Sequence, residues 1–231
     1  MRRTALAAAV IACATAGLAA GCDHDDADLP DAPEAPIDAA IDAPRPAAGA
    51  SRGTFELTYY WVTAEDDYPG TATEPLYTPA CAVLATVTPD FARNLRLEGT
   101  GRLHDGRVVN TAGSCDCPSS PCFAPVDADH PWGIGVQDRP LVPYRSVAVD
   151  HTVVPYGTSL YVEELDGVAV PGDPPWGGFV HDGCVRAADT GGNIVGAHLD
   201  WFVGLRSSYR TLDGRLDLAS ITVHDGGARC P

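Results

Sequence analysis

The 231-residue chain contains no lysine: its 15 basic residues are all arginine, set against 31 Asp and Glu, for a formal charge of −16. So acidic a surface has little attraction for nucleic acid or for an anionic membrane, and both are excluded as expected partners. No apolar run is long enough for a comfortable membrane span. No amphipathic stretch of convincing helical length appears, apart from one short helix expected around 88–95 or 203–209.

What is present begins with an address. Met1-Arg2-Arg3 precedes the apolar run ALAAAVIACATAGLAA, the charged and hydrophobic regions of a secretory signal. It closes on Leu18-Ala19-Ala20-Gly21-Cys22, which resembles the bacterial lipobox. That resemblance implies a signal peptide of residues 1–21 and lipidation of Cys22, holding the mature chain on the membrane by acyl chains at the periplasmic or extracellular face of the cell envelope. Residues 22–50 are rich in Asp, Ala and Pro without aromatics. They cannot bury enough surface to offset their ordering entropy, and they read as an extended tether. Residues 51–231 suffice for one monomeric domain with a substantial core.

Setting aside Cys13 in the signal and Cys22 leaves Cys81, Cys115, Cys117, Cys122, Cys184 and Cys230. An even number in an exported chain predicts disulfides, with the pairing open. The C-x-C-x4-C cluster at 115–122 lacks a well-placed fourth ligand, and an oxidising compartment disfavours thiolate zinc; neither metal nor cofactor is expected there. Short runs rich in Val, Thr, Tyr and Leu recur at 55–63, 81–88, 145–154, 158–165, 177–189, 197–203 and 218–225, separated by Gly, Pro and Asp turns. The pattern predicts an all-β fold. Residues 113–140 read as a long insertion held by disulfides, and three His-Asp-Gly tripeptides, at His104, His181 and His224, read as turns rather than metal ligands.

One strand is chemically odd. In Ala197–Val203, alternation puts Ala197, Leu199, Trp201 and Val203 on one face and His198, Asp200 and Phe202 on the other. By itself this is the ordinary pattern of a half-exposed strand with a solvated polar face. Three segments in order add a second reading: Ser146–Asp150 followed by Pro155-Tyr156-Gly157-Thr158; Asp189-Thr190-Gly191-Gly192-Asn193-Ile194-Val195-Gly196; and His198-Leu199-Asp200. Together they resemble the three-aspartate (3D) domain, over residues 145–204 closely and, through Thr58 and Tyr60, over 54–63 loosely. The T-x-Y and H-x-D elements also resemble the expansin type of barrel.

The 3D resemblance implies a six-stranded double-psi β-barrel with a long disulfide-rich insertion, its aspartates gathered on a groove, in a peptidoglycan lytic transglycosylase that acts on glycan strands. Asp200 is then the catalytic acid/base, with Asp189 and Asp150 as supports. Crowding and apolar walls would raise the Asp200 pKa, and the glycine pair would let the connector bring Asp189 beside Asp200. Candidate substrate-binding residues are Thr58, Tyr60, Trp176 and His198, the last as a hydrogen-bond partner rather than a base, with Trp132 as a second loop aromatic. The alternative is a non-catalytic, expansin-like glycan-binding module, and a third reading has the three aspartates holding calcium. Three departures from the family pattern stand out: Val195 where lysine is usual, a widened gap at 171–178, and no room for the additional substrate-binding domain of the larger transglycosylases.

Overall fold

The computed structural model describes residues 45–231; the signal segment, Cys22 and most of the tether lie outside the described residues. Chain and barrel join before Ser51. The Arg45 guanidinium meets both carboxylate oxygens of Asp166 at 3.0 and 3.2 Å, and the Gly49 amide donates to the Asp225 carbonyl at 2.7 Å.

The strands are β1 (Ser51–Ala64), β2 (Glu74–Tyr77), β3 (Val83–Val87), β4 (Thr100–Arg102), β5 (Val108–Thr111), β6 (Phe123–Pro125), β7 (Ser146–Val149), β8 (Ser159–Ala169), β9 (Val180–Asp189), β10 (His198–Leu205) and β11 (Ser220–Asp225), with helices α1 (Pro89–Glu98) and α2 (Arg206–Leu216). Six of the strands close on themselves in the order β10-β7-β9-β8-β11-β1, with β1 pairing back onto β10. Two of the pairings, β1 with β10 and β7 with β9, are parallel. This is the closed double-psi barrel that the 3D resemblance implies, and closure leaves no edge among its six strands.

Alternation fills the barrel. Leu57 of β1, Val147 and Val149 of β7, and Leu199, Trp201 and Val203 of β10 all point into one buried cluster. Trp201 anchors it, with ring centroids 5.9 Å from both Tyr59 and Tyr144 and its indole N–H donated to the Tyr144 carbonyl at 3.1 Å. Removing so large a buried side chain typically costs about 3–5 kcal/mol.

Past Tyr60 the register of β1 against β10 shifts, and Thr63 and Ala64 instead pair with Gly101 and Arg102 of β4. There β1 enters a small lobe made of α1 and β2–β6, with its own core around Leu76, Val87, Phe91, Leu95, Val109 and Phe123. Thr88 caps α1 by accepting the Phe91 amide at 3.2 Å, Pro89 opens it, and Gly99 closes it in the left-handed region at φ 74°, a conformation glycine adopts without steric cost. The stretch between β1 and β7, read from the sequence as a strand at 81–88 and a long insertion, holds this compact lobe. Its strands of three to five residues escaped periodicity analysis, except 83–87, because so few positions cannot establish a period.

The disulfides join Cys81 to Cys117, Cys115 to Cys122 and Cys184 to Cys230. Two of them secure the small lobe and its insertion, which takes the three clustered thiols out of reach of a metal. Helices form at both places considered for a single one. The His-Asp-Gly tripeptides divide: His104 lies in the β4–β5 turn, His224 ends β11, and His181 is buried inside β9. The His181 Nδ1 accepts the Gly183 amide at 2.9 Å and its Nε2–H donates to the Tyr144 carbonyl at 2.6 Å. Burial pushes its pKa down to about 4, so it is a neutral structural link, not a turn residue.

Candidate active site

The polar face of β10 predicted from alternation is the start of a row that crosses four strands. Thr58 of β1 pairs with Asp200, Asp200 with Ala148 of β7, and Ala148 with Asp189 of β9. The last pairing exists because the β7–β9 register slips by one residue, making Ala188 a bulge and turning Asp189 onto the face of Asp200. Ala148 thus stands between the two aspartates in the row. Beneath the row lie Tyr60, Val62, Leu141 and Phe202, buried and apolar.

Each carboxylate has one side-chain donor from β1. The Thr58 hydroxyl donates to Asp200 Oδ1 at 2.7 Å and the Tyr60 hydroxyl to Asp189 Oδ2 at 3.0 Å. Since a threonine hydroxyl has a single proton, and Thr58 gives it to Asp200, His198 Nε2 at 2.8 Å must donate to Thr58 Oγ1. His198 therefore orients Thr58, and Thr58 orients Asp200.

Burial raises the pKa of Asp200, opposed by the Thr58 hydrogen bond and the nearby His198. Burial also pushes Asp189 up to about 6; the Thr190 amide and the Tyr60 hydroxyl oppose this, and the charge of Asp200 adds to it. Both groups are held toward the neutral acid.

Asp150 behaves differently from what the motif suggests. Its carboxylate accepts the Gly196 amide at 2.8 Å and the amide and hydroxyl of Thr152 at 2.9 and 2.7 Å. These donors hold its pKa down at about 2. Asp150 thus closes the connector loop and does not crowd Asp200. Nor does the glycine pair bring the aspartates together: Gly196, at φ 72°, is the connector position that requires glycine, and the β7–β9 bulge delivers Asp189. Among the described residues, the only cluster of three or more potential metal ligands with mutually close donor atoms is Cys115, Cys117 and Cys122. The three aspartates do not converge as a calcium site would require.

The residue that sequence reasoning missed is Glu98, at the C-terminal end of α1. The register shift after Tyr60 leaves the Trp61 amide free of the ladder, and Glu98 Oε2 accepts it at 3.2 Å. Burial lifts Glu98 to about 7; the Trp61 bond opposes the shift, the charge of Asp200 adds to it, and Arg206 opposes it. Its one sequence cue was a carboxylate in the last turn of a helix, against the dipole.

Trp176 is 38% exposed and meets Trp132 edge-on at 6.3 Å; Trp132 in turn meets Phe202 at 6.4 Å, and Phe202 lies 5.0 Å from Tyr60. An aromatic chain therefore runs from the loop at 171–178 to the polar row.

Residues 145–221 match the family model of the 3D domain. This part of the chain is a 3D domain. It holds β7 to β10, α2 and the first residues of β11, and with them Asp150, Asp189 and Asp200, whereas Thr58, Tyr60 and Glu98 come from outside it. Among solved structures the chain is similar to Escherichia coli MltA with bound chitohexaose, at TM-score 0.52 and 16% identity over 75% of this chain and 71% of that one. It is also similar to a membrane-bound lytic murein transglycosylase from Agrobacterium tumefaciens, at TM-score 0.46 and 14% identity over 75% and 73%. At such identity the likeness to MltA is one of fold. No curated protein sequence matches the chain.

Proposed function

We propose that this 3D-domain protein is a peptidoglycan lytic transglycosylase, with Asp200 as its single general acid/base. The observation that carries the reading is a half-buried Asp200 carboxyl, raised toward its neutral form and oriented by Thr58 in one row with Asp189. An ordinary glycosidase divides the work between an acid and a second carboxylate. Here the protonated Asp200 donates to the leaving glycosidic oxygen. The resulting carboxylate takes the proton of the muramic acid 6-hydroxyl as that oxygen closes on C1, giving a 1,6-anhydro end. The nucleophile belongs to the substrate, so its effective concentration is high and no activated water is required. An unperturbed aspartate, with pKa about 3.9, would be ionised at neutral pH and unable to start the reaction. The likeness to E. coli MltA supports the glycan as substrate class, and the Trp176–Trp132 pair offers rings on which sugars stack. The export signal and Cys22 fit an enzyme anchored in the envelope, facing its substrate.

The test is incubation of the full chain with purified sacculi followed by mass spectrometry. Muropeptides ending in 1,6-anhydromuramic acid are expected from the wild type and lost in Asp200→Asn by about 100-fold or more. Pelleting with sacculi and no soluble product would leave only the expansin-like binding module.

A further inference from the structure

Arg139, Arg145 and Arg186 line one cavity of about 300 Å³ beside β7 and β9. In a chain this acidic most guanidiniums are expected to find carboxylates, and Arg145 does, on Asp182. Arg139 and Arg186 form no salt bridge among the described residues. Their side-chain partners are neutral and distant: Gln137 at 3.3 Å for Arg139 and the Ser159 hydroxyl at 3.4 Å for Arg186. The Nε of Arg139 is buried without an acceptor, a costly arrangement unless something supplies one. Gly157 leaves room for the guanidinium: a Cβ there would lie 2.8 Å from Arg139 Nη2.

Strand register locates this cavity relative to the acid. Arg186 pairs with Ser146, as Asp189 pairs with Ala148, so the two share a face and lie about 7 Å apart along the strand. Asp200 lies two strands from β9, about 10 Å across the sheet. The backbone of Arg186 is thus about 12 Å from that of Asp200, the reach of three or four extended peptide residues. Peptidoglycan carries short peptides on its muramic acids, and their carboxylates are repelled by the acidic surface elsewhere.

We propose that Arg139 and Arg186, with Arg145 beside them, bind a carboxylate of the peptide stem on the sugar whose bond is presented to Asp200. This rests on the peptidoglycan reading, and it makes the enzyme selective for peptide-bearing over bare glycan. A guanidinium fork suits a carboxylate through paired hydrogen bonds.

The probe is N-acetylmuramyl tripeptide, titrated calorimetrically against full-length Asp200→Asn, alongside the same compound with its carboxyls amidated and inorganic phosphate. The acid form is expected to bind about tenfold more tightly than the amide, with phosphate weak. Arg139→Gln and Arg186→Gln, each checked by melting temperature, should each shrink that preference. Equal binding of acid and amide overturns the proposal, as does a preference that survives both substitutions; phosphate binding as tight as the tripeptide reduces the cavity to a general anion site. Because the readout needs no turnover, a wild type that yields no anhydro product while this preference holds would refute the enzymatic reading and leave the cavity's assignment standing.

Discussion

Replacing Glu98 by Gln removes a carboxyl that folding forces into poor surroundings, and the size of the effect follows from the site. Burial lifts the group from an ordinary 4.5 to about 7. At about 1.4 kcal/mol per pKa unit, the folded wild type carries a penalty of roughly 3 kcal/mol once this carboxyl is ionised. Below pH 4.5 folded and unfolded chains both hold the proton, and no penalty exists. As pH rises the unfolded chain ionises first, so stability declines until the folded carboxyl itself ionises near 7. Glutamine keeps an oxygen for the Trp61 amide and has no charge to desolvate. Melting curves at pH 4, 6 and 8 should therefore show wild type and Glu98→Gln together at pH 4 and the variant ahead by about 5–10 °C at pH 8. A difference that does not change with pH, or a variant less stable at pH 8, would refute this account of Glu98.

Thr58→Val removes the bond that lowers the Asp200 pKa, so the alkaline fall in activity should move to higher pH while turnover drops about tenfold, as pH–rate profiles would reveal. Asp150→Asn should leave those profiles in place, since Asp150 is already ionised and turned toward Gly196 and Thr152; a displaced profile would return it to the proton-transfer machinery. Among the disulfides, the Cys184–Cys230 loop spans 46 residues and the Cys115–Cys122 loop 7. Chain entropy then predicts losses of about 4 and about 2 kcal/mol when each pair is replaced by serine, measurable by chemical denaturation.

The all-β class, the principal barrel strands and the polar face of His198 and Asp200 were legible from alternation, because a strand's two-residue period is a local property of the chain. The 3D motifs pointed to Asp189 and Asp200 as well, but not to how they meet. That required a one-residue slip between β7 and β9, and a register is decided by which partner strand lies alongside. The short strands of the small lobe were hidden for a related reason: three or four residues become a strand only when a disulfide and a shared core hold them against a neighbour. Sequence alone marked the residues able to carry chemistry. Tertiary structure decided which carboxyls are driven toward neutrality. It kept Asp150 ionised by surrounding it with donors, raised Asp189 and Asp200 by burial, and brought in Glu98 from a helix far away in the chain, because desolvation depends on what the rest of the fold lays over a group.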